Sequence, residues 1–274
     1  MATKTGINWT DSTWNPTTGC DRVSPGCDNC YALTQSARMK AMGSPAYQKD
    51  GDPRTSGPGF GLTIHPDRLD LPRRWANPRF IFVNSMSDLF HESVPDEFIA
   101  SVFAVMADTP RHTYQVLTKR SHRLARSASS FDWPSNLWMG ISLESSRYRF
   151  RIDHLREVPA ARRFISAEPL IADPGKLNLE GIDWVIAGGE SGPGARPVRT
   201  QWLRDLRDDC VSQGTDFWFK QWGAWIEEDG ETRRWTKEDG AFLDAEQWRQ
   251  RPELGSVAKT NPPAPVPADT PLSP

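Results

Sequence analysis

The chain has 274 residues, 37% hydrophobic and 25% charged, a globular composition long enough for one sizeable barrel-type core. Its formal net charge of -2 excludes a globally basic nucleic-acid binder and leaves only a local basic face. No apolar run reaches the roughly 18 residues that span a bilayer, and the N-terminal MATKTGINWTDSTWN lacks a signal-peptide core, so the sequence sets the expectation of a cytoplasmic protein with no membrane partner.

The first extended segment, STWNPTTG, runs into a loop of glycines and prolines, and the helical run CYALTQSARMK opens at Cys30. That loop carries Cys20, Cys27 and Cys30, three of the four cysteines, spaced Cys-x6-Cys-x2-Cys. A Gly-, Pro- and Asp-rich insertion follows at 43–72. Phe80, Ile81, Phe82 and Val83 then form a continuous apolar run, the pattern of a strand buried on both faces. Behind it, Phe98, Ile99, Val102, Phe103 and Met106 repeat at helical spacing, with Asp96 near the start and Pro110 just past the end.

The unit recurs. TYQVLTKRS reads as a strand and HRLARSASSF as a helix; LWMGISLES is a strand and RYRFRIDHLREV a helix. RRFISAEPL is a strand followed by an irregular segment. DWVIAGGESG is a strand, followed by a helix over TQWLRDLRDDCVSQG with Trp202, Leu206 and Cys210 on one face. DFWFKQWG closes the series. Strands alternating with helices at this interval predict an α/β protein built as a parallel (β/α) barrel, partial or open, of six to seven βα units. The barrel domain is expected at 1–224, a polar C-terminal extension at 225–251 and a disordered Pro/Ala-rich tail at 252–274. Twelve tryptophans are numerous enough that some are expected to line a cleft.

In a reducing compartment, clustered cysteines suggest metal or redox chemistry rather than disulfides. Three readings remain open for this cluster. A structural zinc would use Cys20, Cys27 and Cys30, but it requires a fourth ligand, and the nearest histidine, His65, lies in the insertion. Buried, inert thiols are the second reading, although a Gly/Pro-rich loop is a poor place for core cysteines. The third is an iron–sulfur cluster held by three thiolates with one iron left open. Position favours the third, because the first βα loop lies at the carboxyl end of the strands, where parallel barrels hold their sites. Cys210 reads as core, and His91, His112, His122 and His154 lack metal-ligand spacing.

Three cysteines in this loop resemble the radical S-adenosylmethionine superfamily. The spacing there is usually Cys-x3-Cys-x2-Cys with an aromatic before the last cysteine; here the first gap is x6 and Asn29 takes the aromatic's place. The chain also resembles a phage and bacterial protein family through INWTDSTWNPTTGC, CDNCYA, HPDRLDLPRRW, residues 79–92, QVLTKR, ISLE, FISAEPL, AGGESGPGARP and FKQWG, over residues 7–223.

The superfamily resemblance implies a [4Fe–4S] cluster on the three cysteines, S-adenosyl-L-methionine as cofactor and an electron donor. It implies that Asn84, Ser85, Ser87 and Asp88, after the second strand, meet the cofactor's amino group, with helix capping as the alternative for Ser87 and Asp88. Lys119, with Arg120, suits a carboxylate or phosphate, or else a solvated rim. Ser142 and Glu144 suit ribose hydroxyls or the ammonium, and Glu168, after an apolar run, requires a partner. Gly189, Glu190, Ser191 and Arg196 read as a substrate-binding loop. Lys220, Gln221 and Trp222 read as holding and stacking a base-like substrate, with barrel packing the alternative for Trp222. A nucleic acid or nucleotide substrate is the expectation; the rival is a zinc-stabilised, non-catalytic nucleic-acid-binding phage protein. The sequence names no partner protein.

Overall fold

Strict alternation along each strand sorts its side chains between a helix-covered outer face and a barrel interior. The computed structural model describes residues 5–253, so the Pro/Ala-rich tail lies, from residue 254 on, outside the described residues. Seven parallel strands pair in chain order: β1 (Ser12–Trp14), β2 (Phe80–Val83), β3 (Thr113–Thr118), β4 (Leu137–Ser142), β5 (Arg162–Ala167), β6 (Trp184–Gly188) and β7 (Asp216–Gln221). Five α-helices lie among the described residues: α1 (Tyr31–Ala41), α2 (Asp96–Ala107), α3 (Ser121–Ser127), α4 (Phe150–Arg156) and α5 (Thr200–Gln213). After β5 the return is irregular, as its sequence predicts. β1 and β7 do not pair with each other, so the barrel is open.

Ile81, Val83, Tyr114, Val116, Met139, Ile141, Ile165 and Val185 point outward into the main core with the helices. Their neighbours Phe82, Trp138, Phe164, Trp184 and Ile186 point inward around Trp9. The Trp9 ring centre is 4.8 Å from that of Phe82 on β2 and 6.1 Å from that of Trp184 on β6. In a flat sheet those strands would lie roughly 19 Å apart, four spacings of about 4.8 Å. The sheet therefore curls, and Trp9 plugs it. Gly140 on β4 is glycine because Phe164 fills its space: a Cβ there would lie 2.4 Å from the ring.

The buried stripe of α5 is Leu203, Leu206 and Cys210. Trp202, expected on that stripe, is only partly buried and lies beneath the Arg199 guanidinium, one helix position to the side. Within the insertion, Thr63–Ile64 pairs antiparallel with Thr17–Thr18 and ties it to the cysteine loop. The segment after β7 forms two further strands, Trp225–Glu228 and Glu231–Arg234, beside Val198–Arg199. Its end then folds back along β7: Phe219 N–H donates to the Trp248 carbonyl (3.0 Å), and Gln250 N–H to the Phe217 carbonyl (3.1 Å). Among the described residues, no helix is long and apolar enough to cross a membrane.

Gly140→Ala should cost about 1–3 kcal/mol, because the new methyl forces Phe164 out of its position in the plug. A drop in the urea midpoint with an unchanged slope would confirm this; an unchanged midpoint would mean that the ring has room to move.

Candidate functional site

Gly19 begins the cysteine loop with φ +86°, and a Cβ there would lie 2.4 Å from the Gly61 carbonyl oxygen, so loop and insertion meet backbone to backbone. From Gly19 to Cys30 the chain crosses the barrel mouth, and one strand end after another fastens it. After β2, Gly19 N–H donates to the Met86 carbonyl (3.0 Å) and Ser87 Oγ donates to the Gly19 carbonyl (2.6 Å). After β3, Arg120 Nη2 donates to the Asp21 carbonyl (3.2 Å), and Nη1 reaches Cys20 Sγ (3.3 Å). After β4, Ser24 Oγ donates to Glu144 Oε1 (2.7 Å), and a Cβ on Gly26 would lie 2.6 Å from the Glu144 carboxyl carbon. After β6, Asn29 Nδ2 donates to Glu190 Oε2 (3.0 Å), and Arg196 Nη2 donates to the Pro25 carbonyl (2.8 Å).

Beneath the loop lies a cavity of about 470 Å³, lined by all three cysteines. They are free and partly buried, and Tyr47, Phe60 and Met86 pack with Cys20 and Cys30 into an apolar wall. Burial pushes the Cys20 thiol up to about 12, against the opposing pull of Arg120. Burial raises Cys30 as well. For Lys119, burial alone would lower the ammonium, but Glu144 (3.0 Å) and Cys27 outweigh it, so the group is raised and stays charged. Two cations thus stand beside the thiols and offset part of the cost of burial.

Among the described residues, no group of three or more His, Cys, Asp or Glu side chains converges to hold a single metal ion. One tetrahedral zinc would need its thiolates roughly 3.8 Å apart, given Zn–S bonds of about 2.3 Å. A cubane instead takes each thiolate on a different iron, and three soft donors lining one cation-flanked cavity suit such a cluster.

The predicted cofactor residues divide in two. Asn84, Ser85, Ser87, Lys119, Ser142 and Glu168 line the cavity. Asn84 Nδ2 donates to Thr17 Oγ1 (2.9 Å), while its Oδ1 is buried without a partner. Asp88 also lines the cavity, but its carboxylate is committed. It accepts from Phe90 N–H (3.0 Å), Thr118 Oγ1 (2.7 Å), Lys119 N–H (3.1 Å) and Arg120 (3.2 Å), leaving no acceptor for an ammonium. Glu144 does not reach the cavity; it is fully buried between Ser24, Lys119 and Arg151.

The predicted substrate residues also divide. Lys220 Nζ donates to both oxygens of Glu168 (2.6 and 2.8 Å), and Gln221 Nε2 donates to Glu168 (3.1 Å) and to Ser191 Oγ (2.7 Å). This chain of polar groups lines the cavity from the ends of β5, β6 and β7. Gly189 lines it too, but it is glycine for another reason: a Cβ would lie 2.0 Å from the Trp222 carbonyl oxygen. Glu190 also lines the cavity, and there it pairs with Arg196 (2.5 Å), so that the two fasten the cysteine loop. Trp222 does not stack at the mouth. The β7 register shifts between Phe219 and Gln221, so Lys220 and Gln221 both face the cavity and the indole turns outward onto Phe219.

A family model described as a protein of unknown function, DUF5131, matches residues 4–252. The chain belongs to the DUF5131 family. No curated protein sequence matches it. Among solved structures it is similar to a cysteine-to-serine mutant of spore photoproduct lyase, at 11% identity and a TM-score of 0.49, covering 83% of this chain and 79% of that one. A further mutant of spore photoproduct lyase, with bound AdoMet and dinucleoside spore photoproduct, gives 13% identity and a TM-score of 0.43 over 81% of this chain and 59% of that one.

Several residues of the DUF5131 site escaped the sequence reading. Asp21 accepts from Thr55 (2.7 Å), Ser56 (3.2 Å) and His91 (2.9 Å). His91 Nδ1 accepts from Ser93 N–H (3.1 Å), so Nε2 carries the proton and donates to Asp21. Tyr31 donates its hydroxyl to the Ser85 carbonyl at the cavity edge. Asp21 and Asn29 flank cysteines, which was the available signal; nothing in the sequence pointed to His91.

Burial alone would raise the Glu190 carboxyl, but Arg196 and Asn29 hold it below its ordinary value. Its contribution to stability is therefore complete above the ordinary glutamate range and lost as pH falls through the depressed folded value. Acid should loosen the cysteine loop and expose 20–30 to protease. Glu190→Gln should cost about 2 kcal/mol at neutral pH and flatten that acid dependence; proteolysis that tracks pH equally in both forms would rule Glu190 out.

Proposed function

We propose that this DUF5131 protein is a radical S-adenosylmethionine-type iron–sulfur enzyme acting on a nucleic acid or nucleotide-like substrate. One observation carries the reading: three free thiols line one cavity at the carboxyl end of a seven-stranded parallel half-barrel. Cys20, Cys27 and Cys30 would hold a [4Fe–4S] cluster. When bound, such a cluster supplies, from an electron donor, the electron that cleaves the sulfonium of S-adenosyl-L-methionine and so starts radical chemistry.

The chain's own residues do the rest. Arg120 and Lys119 place positive charge beside Cys20 and Cys27. The unpartnered Asn84 Oδ1 offers an acceptor to an ammonium, the role assigned to this strand end. Ser142 and Ser166 offer hydroxyls from β4 and β5. Trp9, Phe82 and Leu117 form an apolar floor that excludes water. Glu168, Ser191, Lys220 and Gln221 present both donors and acceptors beside that floor, a set that suits the edge and face of a nucleobase. Arg22 projects at the exposed rim, where a phosphate would sit. Resemblance to a phage-protein family agrees with a nucleic acid substrate, and free thiols agree with a cytoplasmic location.

Anaerobically purified protein should be brown, absorb near about 400 nm and carry about four irons per chain. With reductant and S-adenosyl-L-methionine it should release 5′-deoxyadenosine. Cys27→Ala should lose both iron and product while keeping its far-ultraviolet circular dichroism. A colourless protein with one zinc per chain would overturn the proposal in favour of the zinc-stapled binder.

A further inference from the structure

A second concavity opens beside the mouth. It is a groove of about 450 Å³ lined by Ser191, Gly192, Gly223, Ala224, Arg234, Trp235, Thr236 and Lys237. Ser191 lines both concavities, so the groove adjoins the catalytic cavity at that residue. Its floor is nearly free of side chains: a Cβ on Gly192 would meet nothing within 4 Å, and Gly223 is held flat against the Glu190 backbone.

Its wall carries unspent charge. Arg233 is neutralised by Asp239 (2.7 Å), but the exposed guanidinium of Arg234 and ammonium of Lys237 have no carboxylate partner among the described residues. Trp235 stands between them, 37% exposed, with its backbone N–H bonded to the Ala224 carbonyl (3.0 Å) and its indole N–H to the Gly240 carbonyl (3.2 Å). Trp225, 39% exposed, lies across the strand pair from Arg234. An indole face held at the surface between two free cations matches one base flanked by phosphates in a single strand. An acidic peptide would use the cations and leave the indoles idle.

We propose that this groove binds the nucleotides flanking the reacting one, so that the substrate is a single-stranded polynucleotide rather than a free nucleotide. The inference rests on the nucleotide-like substrate proposed above and deepens it. The catalytic cavity takes one base; Trp235 stacks a neighbour; Arg234 and Lys237 contact the phosphates between and beyond.

The test is fluorescence anisotropy of labelled single-stranded oligonucleotides with full-length, anaerobically purified protein, alongside binding of mononucleotides. Trp235→Ala should weaken oligonucleotide binding roughly tenfold. The double variant Arg234→Gln/Lys237→Gln, on an exposed hairpin, should lower the salt slope by about 1.4. Mononucleotide binding and iron content should be unchanged in both. Oligonucleotide binding equal to wild type in both variants overturns the inference, as does competition by polyglutamate but not by oligonucleotide. Mononucleotide binding without any oligonucleotide gain overturns the groove and leaves the cavity reading standing. Iron-replete protein that binds neither removes the nucleotide substrate itself.

Discussion

The site depends on one constraint: a twelve-residue loop must cross the barrel mouth and hold three thiols in place with only one short 3-10 turn, Pro25–Cys27, of its own. Strand ends supply the missing order. Asp88 with Arg120, Glu144 with Lys119, and Glu190 with Arg196 each bind a different part of the loop. The first two pairs are buried; such pairs contribute little net stability, because desolvation offsets attraction, yet removing one partner costs about 3–5 kcal/mol. The loop is therefore held in one geometry or lost, and the barrel's regularity becomes regular spacing of its anchors.

Much of this architecture was legible in the sequence. Parallel strands covered on both faces appear as unbroken apolar runs, so β2 to β6 could be placed from Phe80, Val116, Ile141, Ile165 and Ile186 without any contact information. The three cysteines stood out by spacing alone. What the sequence could not reveal was how acceptors are spent. Glu144 and Ser24 lie 120 positions apart, and Asn29 and Glu190 161, so carboxylates that hold the loop looked like carboxylates waiting for a ligand. Of the two readings open for Trp222, packing holds for a local reason: a register shift of one residue reverses inside and outside for everything after it. Gly189 read as part of a substrate-binding loop, and the neighbour its missing side chain accommodates is the backbone at Trp222, just past the adjacent strand.

The barrel interior shows where the tryptophans went. Trp9 serves both layers, touching the cavity above and the Phe82–Phe164–Trp184 cluster below. Large rings fill an open barrel that branched aliphatics, with their smaller reach, would leave hollow. The result is a dry, rigid base under a polar rim, and Gly140 gives up its side chain to make room for it.

The chain's return along β7 has a consequence for assembly. An outermost strand with free amides and carbonyls invites pairing with another molecule. Residues 248–250 occupy those positions with backbone from the same polypeptide, and the Trp184 indole adds a tie to the Gln250 carbonyl (2.9 Å). Growth of the sheet into a neighbouring copy would first require peeling this segment away, so contact between molecules is steered away from that border.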